Sequence, residues 1–466
     1  MASKRSNRNG IAMRHSVFLP MFIAASAAAL VLAACGGSAI DPVAPDAVAP
    51  NSVALGTAQS SGRTLAIAPG NDVIAYWNQI ATNTVNVAPA ASGTPEERRP
   101  VYSFDLATVQ VAMFDAVNAI DGSYARFAAQ PTTATAGASL EAAAAAAAYH
   151  TLKGLFPNRT AQYQTEYDNY VGSLPDGDAK TRGLQIGQEV AVQIVALRAD
   201  DGRWTPVTYT PTSLPGRFRG TNPINTFMPF VRPFTLQSTA QFRADGPPPL
   251  TSSEYAADVN ETKALGAANG SVRTAEQTEI ARFHTEPPPV FWPRNLRIFA
   301  TADRGIAENA RTMAVLWTAS ADATIACFES KYHFDSWRPF SAITLADTDG
   351  NAATEADPSW TPVVPTPNHP EYPAAHSCVT GATAEVLQQL FGTKKLAFDW
   401  SSGVTGTTTH HFDSTDDIGK EVQLARIAGG MHFRTATVHG EVLGMKVGKW
   451  ILKNHFQPVA HGNSGN

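Results

Sequence analysis

The chain has 466 residues, 44% of them hydrophobic and 16% charged, with 34 glycines, 32 prolines and three cysteines. That length and apolar content suit one large core or a few ordinary ones; they exclude a disordered chain and a coiled coil, and three cysteines exclude a disulfide scaffold. A formal net charge of −5 argues against a general nucleic-acid or anionic-membrane binder.

Residues 1–15 carry Lys4, Arg5, Arg8 and Arg14 and no acid, and an apolar run follows from Ser16 to Ala34. A basic start, an apolar middle and small residues at a cut site form a secretory signal; an uncleaved anchor is the alternative for a run of this length. The run ends in Leu32-Ala33-Ala34-Cys35, which resembles the lipobox of bacterial lipoproteins and implies lipidation of Cys35. Losing the four basic residues leaves 31 Lys+Arg against 40 Asp+Glu, a mature charge near −9. Residues 1–35 are therefore expected to be a lipoprotein signal, and the protein to work outside the cytoplasm, in the periplasm or at the cell surface. Residues 36–70, rich in Ala, Pro, Ser and Val, read as a flexible linker.

From residue 71 to about 460 helical periods dominate. Leu106, Val109, Met113, Val117 and Ile120 recur at three- and four-residue steps and predict a helix with one buried face. Glu141 to Tyr149 is nearly all alanine, a strong helix former. Asp178 is placed to cap a helix carrying Ile186, Val190, Ile194 and Leu197. Helices are also expected over Ile306–Phe328, His376–Phe391, Lys420–Gly429 and Gly440–Leu452. Strand signals are sparse. The segment 205–250 holds nine prolines interleaved with Phe218, Phe227, Phe230, Phe234 and Phe242, and reads either as a functional wall or lid, or as an ordered surface wrap. No sharp break divides this stretch, so one large all-α domain is expected.

Seven of the twelve histidines fall between His333 and His439. In the same stretch, the block Lys331-Tyr-His-Phe-Asp-Ser-Trp-Arg338-Pro339 places two cations seven residues apart. Pro339 pushes Arg338 out of helical geometry, so the block straddles a helix end, where two fixed cations suit an oxyanion. The block His369-Pro-Glu-Tyr-Pro373-Ala374-Ala375-His376 marks a helix start near Ala375, whose free backbone N–H groups bind anions. His376 there fits a general acid or base, or a histidine that merely packs a helix end. In Arg426-Ile-Ala-Gly429-Gly430-Met-His432 the glycine pair breaks the helix and lets Arg426 and His432 approach one point from different elements. His432 is then a nucleophile or a metal ligand, or part of a surface turn. Taken together, Lys331, Arg338 and Arg426 with two histidines describe a pocket for a tetrahedral or five-coordinate oxyanion.

The order K-x6-R-P, Pro-x-x-His, R-x5-H resembles the vanadium-dependent haloperoxidases and the type 2 phosphatidic acid phosphatases. Trp77-Asn-Gln-Ile, Val111-Ala-Met-Phe-Asp-Ala-Val-Asn-Ala-Ile-Asp-Gly122 and Phe291-Trp-Pro-Arg-Asn resemble the haloperoxidase branch. The resemblance covers roughly 71–455 and implies a large helical bundle. It implies that His432 binds vanadium, or attacks phosphorus in a phosphatase, and that His376 is the acid–base. Lys331, Arg338, Arg426 and the Ala375 backbone N–H would hold vanadate or phosphate, with His369 in a supporting role linked to halide.

This chain departs from the family pattern at several positions. Ala374-Ala375 stand where Ser-Gly precedes the acid–base histidine, and Ala425 replaces a serine before the third-block arginine. Ala436 replaces the acid four residues after the metal-binding histidine, so a group orienting His432 must come from elsewhere or is absent. Cys327, one turn before Lys331, and Cys378, two residues after His376, form a disulfide outside the cytoplasm or remain two buried thiols. Asp347-Thr-Asp349-Gly-Asn351 lacks the glycine and glutamate of a calcium loop and reads as an acidic surface loop. No zinc spacing supports His410, His411 or His439 as ligands, and no glycine-rich nucleotide loop is present.

The expected function is a vanadate-dependent haloperoxidase using hydrogen peroxide and halide. The alternatives are a phosphatase acting on phosphomonoesters through a phosphohistidine, and a non-catalytic oxyanion-binding lipoprotein. The other expected partner is a membrane, through the lipid anchor, and homo-oligomerisation stays open.

Overall fold

Asp72 accepts a hydrogen bond from the Ala75 N–H at 2.8 Å and so caps the first helix, α1 (Val73–Val85). The computed structural model describes residues 72–86, 102–406 and 408–459, all within a unit that spans 62–466. The expected signal with Cys35 and the linker 36–70 lie outside the described residues. The described part is predominantly helical, the all-α bundle that the periodicities imply.

The stripe from Leu106 to Ile120 lies in α2 (Tyr102–Asp121), but the helix is buried on every side from Ser103 to Asn118 rather than on one face. It is a central element, packed against α1, α3 and α9. The alanine run forms α3 (Leu140–Leu155), where Ser139 caps the N-terminus and Ala142 to Ala148 are all buried. After α4 (Thr160–Ser173), α5 (Asp178–Arg198) lies directly on α3. A Cβ at Gly187 would come within 2.3 Å of the Ala143 carbonyl oxygen, so small residues on both helices permit a close backbone approach. Gly177 occupies the cap position of α5; Asp178 is its first residue, favourable there as a charge near the positive helix end rather than as a cap.

The proline-rich segment is an ordered wrap. Asp322 accepts the backbone N–H groups of Phe234, Thr235 and Leu236 at 2.7, 2.8 and 3.3 Å, while Phe218 and Phe234 are buried. Its later part is also a wall: Pro247, Pro248 and Leu250 line a cleft that reaches Glu371. Next come α6 (Ser253–Gly266), α7 (Ala275–Phe283), α8 (Pro288–Arg297) and the long α9 (Ile306–Phe334). Helix α10 (Pro339–Thr344), α11 (Ala375–Phe391), an antiparallel hairpin of β1 (Phe398–Ser402) and β2 (Thr408–Phe412), α12 (Thr415–Ala428) and α13 (Arg434–Asn454) complete the order. Both α12 and α13 begin five or six residues before the apolar period does, because their first turns are polar.

Helix α9 packs on α2 and also on α11 and α13, so it links the two groups of helices. Cys327 of α9 and Cys378 of α11 form a disulfide, with Cα atoms 6.3 Å apart. Helices α11 and α13 touch through glycine: a Cβ at Gly444 would lie 2.0 Å from the Cys378 carbonyl oxygen. The loop expected to be acidic surface is only partly so. Asp349 is buried, and its carboxylate accepts from the Asn351 N–H at 2.7 Å and the Thr354 hydroxyl at 2.8 Å.

Candidate active site

Each of the three sequence blocks sits at a helix break. Lys331 occupies the last turn of α9, which stops at Asp335 in the left-handed region (φ 52°). Arg338 is the extended residue (ψ 159°) before Pro339 opens α10, as the Arg-Pro pair requires. Ala374 and Ala375 start α11 with no side-chain cap, and the Ala374 N–H donates to the Ala436 carbonyl at 2.9 Å. Helix α12 ends at Ala428, and Gly430 (φ 75°) turns the chain so that His432 precedes α13.

These breaks converge. Arg338 Nη1 donates to His432 Nε2 at 3.1 Å and to the Met431 carbonyl at 2.9 Å, and its Nε donates to the His369 carbonyl at 2.7 Å. Arg338 Nη2 lies 2.9 Å from Nδ1 of His369, whose ring packs 5.0 Å from that of Phe328. Lys331 Nζ donates to the carbonyls of Pro370 and Glu371 at 3.1 and 2.8 Å. Arg426 donates to the His284 carbonyl at 3.4 Å, while its Nε is buried without a hydrogen-bond partner among the described residues. His376 stands in the first turn of α11, half-buried.

The residue the sequence reading passed over is Glu371. Its Oε1 accepts from His432 Nδ1 at 2.9 Å and from the Phe433 N–H at 3.0 Å, and both side chains of the pair are buried. This is the orienting acid missing at Ala436, supplied from the loop before α11 instead of from α13. A proton on Nδ1 facing the carboxylate leaves the Nε2 lone pair turned toward Arg338. Ala436 and Glu371 line the same cleft, with Tyr255 and Phe433. The sequence signal was an acid two residues after His369, in a block otherwise read for its histidines.

Burial depresses every base here, and repulsion adds to it at each except Arg338. Arg338 falls to about 10 through burial, and Arg426 to about 9 through burial and the charge of Arg338. Lys331 is pushed well below its ordinary value by burial and Arg338, with Glu371 opposing. His432 and His376 also lie well below theirs, through burial and the surrounding cations. Burial lifts Glu371 to about 7 against the pull of Lys331. Three buried cations share one buried acid, which is the electrostatics of an anion site.

Residues 311–461 match the family model of the VCPO second helical-bundle domain. The vanadium chloroperoxidase of Curvularia inaequalis is 23% identical over 354 residues, 60% of this chain and 57% of that protein, so the match spans little more than half of the relative. Both matches fall on the side of the resemblance that the three sequence blocks carry. The fold is shared with a crystal structure described as the first bacterial vanadium-dependent iodoperoxidase (TM-score 0.64, 24% identity, 83% of this chain and 95% of that one). It is shared too with an apo-type bacterial vanadium-dependent chloroperoxidase (TM-score 0.59, 18% identity, 78% and 95%).

The residues present fit vanadate. Arg426 offers an unpartnered buried Nε. The first turn of α11 offers backbone N–H groups that the helix cannot satisfy, and His432 turns Nε2 to the Arg338 guanidinium among these cations. Lys331, Arg338, Arg426 and the Ala375 N–H would hold the oxygens, with His432 supplying a nitrogen ligand. The hydroxyl that Ser would supply at Ala374 is absent, and Ala425 is fully buried.

Proposed function

We propose that this protein is a vanadate-dependent haloperoxidase that converts halide, hydrogen peroxide and a proton into hypohalous acid and water. The observation that carries the reading is His432, fixed through Nδ1 by Glu371 with Nε2 turned into a cluster of three buried cations. Bound vanadate would supply the Lewis acidity that makes peroxide oxygen susceptible to attack by halide. The chain's own residues do the rest. Lys331, Arg338 and Arg426 neutralise the oxyanion in a buried site where charge is worth most. His376, neutral because burial and Arg426 hold its pKa down, takes a proton from peroxide and returns one to the departing oxygen. His369 packs Arg338 in place.

We further propose that the protein is exported and lipid-anchored through Cys35, which the signal layout and the Cys327–Cys378 disulfide support. The test is bromide oxidation with peroxide by protein loaded with vanadate and dialysed, beside aryl-phosphate hydrolysis without vanadate. Vanadate-dependent bromination that disappears in His432→Ala is the expected result. Phosphate release alone would instead make the protein a phosphatase, and retained vanadate without turnover would make it a binding protein.

A further inference from the structure

His410 matches no metal spacing, yet it is one of the most hydrogen-bonded histidines outside the site. Its Nδ1 lies 2.8 Å from Glu421 Oε1 and its Nε2 lies 2.8 Å from Glu279 Oε2. The same Glu421 oxygen lies 2.8 Å from Nε2 of His284. His284 is buried, and its carbonyl holds Arg426. Four titratable side chains from α7, β2, α12 and the residue after α7 thus form an unbroken line. The outer end, Glu279, is 36% exposed at its side chain, and the inner end is 1% exposed. The Phe283 ring stacks on His410 at 3.7 Å, fixing its plane.

We infer that Glu279–His410–Glu421–His284 is a proton relay between solvent and the pocket that holds Arg426 and His376. The alternation of carboxylate and imidazole suits a relay, because a ring accepts a proton on one nitrogen and releases it from the other. Inward, Glu279 passes a proton to His410 Nε2 as the Nδ1 proton leaves to Glu421. Glu421 passes it to His284 Nε2, and His284, whose carbonyl holds Arg426, releases the proton from its other ring nitrogen. Each carboxylate returns to its starting charge; each ring ends in the opposite tautomer and is reset before the next proton. The relay rests on the proposed halide oxidation, which consumes one proton per turnover in a buried site.

The electrostatics grade along the line. Burial opposes charge on His410, but Glu421 and Glu279 outweigh it and raise its pKa, while Glu421 is held down to about 2 by His284 and His410. Burial pulls His284 down, with Glu421 opposing and Arg426 and His410 adding to the fall. These, with His376, are the titratable and charged groups that bear on the line. Arg426, His284 and Lys331 all act to hold His376 down.

The test compares His410→Phe, which keeps a ring against Phe283, and Glu421→Gln with the parent as vanadate-loaded protein in weak buffer. The relay predicts a kcat loss of about tenfold that deepens as pH rises, smaller than the roughly 10²–10⁴ a general acid contributes directly. The KM for bromide and the vanadate affinity measured by dialysis stay unchanged, and added imidazole restores the rate as a diffusible proton carrier. Parent-like rates in both variants, or a loss that imidazole does not restore, would overturn it. A second arm uses vanadate-free protein and needs no activity. The imidazole NMR signals of His284 and His410 should titrate as a coupled pair that Glu421→Gln uncouples, and independent titration in the parent would sink the relay. A parent that oxidises no halide but shows the coupled pair would refute the proposed function and the relay's part in it, leaving only the coupled line of side chains.

Discussion

At the scale of single residues, the site is a cluster of cations built around one oriented histidine. Glu371 orients His432 from a loop 61 residues away in sequence. Glu371→Gln keeps the shape and an acceptor oxygen but loses the charge that raises the basicity of Nε2. It should weaken vanadate binding by roughly 10–100-fold, the usual cost of losing a metal ligand's partner, as read by equilibrium dialysis. Ala374 makes a second case. It begins α11 without a side-chain cap, so Ala374→Ser should add a cap worth about 0.5–2 kcal/mol in denaturant unfolding. The same hydroxyl should raise turnover if it reaches the oxyanion; a gain in stability with flat kinetics would show that it caps only.

At the scale of elements, closeness is bought with small side chains. Helix α13 lies so near α11 that Gly444 leaves no room for a methyl group beside the Cys378 carbonyl. Gly444→Ala should therefore destabilise the fold by about 1–3 kcal/mol or more through overpacking. Because α11 carries His376 and α13 follows His432, turnover should fall with stability; an unchanged melting temperature would contradict the packing described. The alanines of α3 obey the same logic against Gly183 and Gly187 of α5. The sequence showed that run as helical, but not why it was alanine, because the partner glycines lie some forty residues on. Local signals were legible: Arg-Pro, Gly-Gly and the proline before Ala375 each predicted a break, and each break appears. Contacts set by the tertiary fold were not. Nothing near Leu106–Ile120 says that the polar side of α2 is also enclosed, and nothing near His432 names Glu371.

For the whole molecule, the site and the core are one energetic unit. A ligand that binds only the folded state stabilises it by RT ln(1 + [L]/Kd), about 2.7 kcal/mol at a hundredfold excess over Kd. Vanadate should raise the melting temperature accordingly, and the rise should shrink in Glu371→Gln and vanish in His432→Ala if the His432 nitrogen carries the affinity. The links through α9, from α2 on one side to α11 and α13 on the other, spread that gain across both groups of helices, so one unfolding transition should move rather than one of two. The unequal charge at the centre, with Lys331, Arg338 and Arg426 against Glu371, has a consequence for handling. A cage that attracts any compact oxyanion will take the commonest one around it. Phosphate or sulfate in a growth medium or buffer thus becomes a competitor that decides, before any halide is added, how much of a preparation is able to accept vanadate.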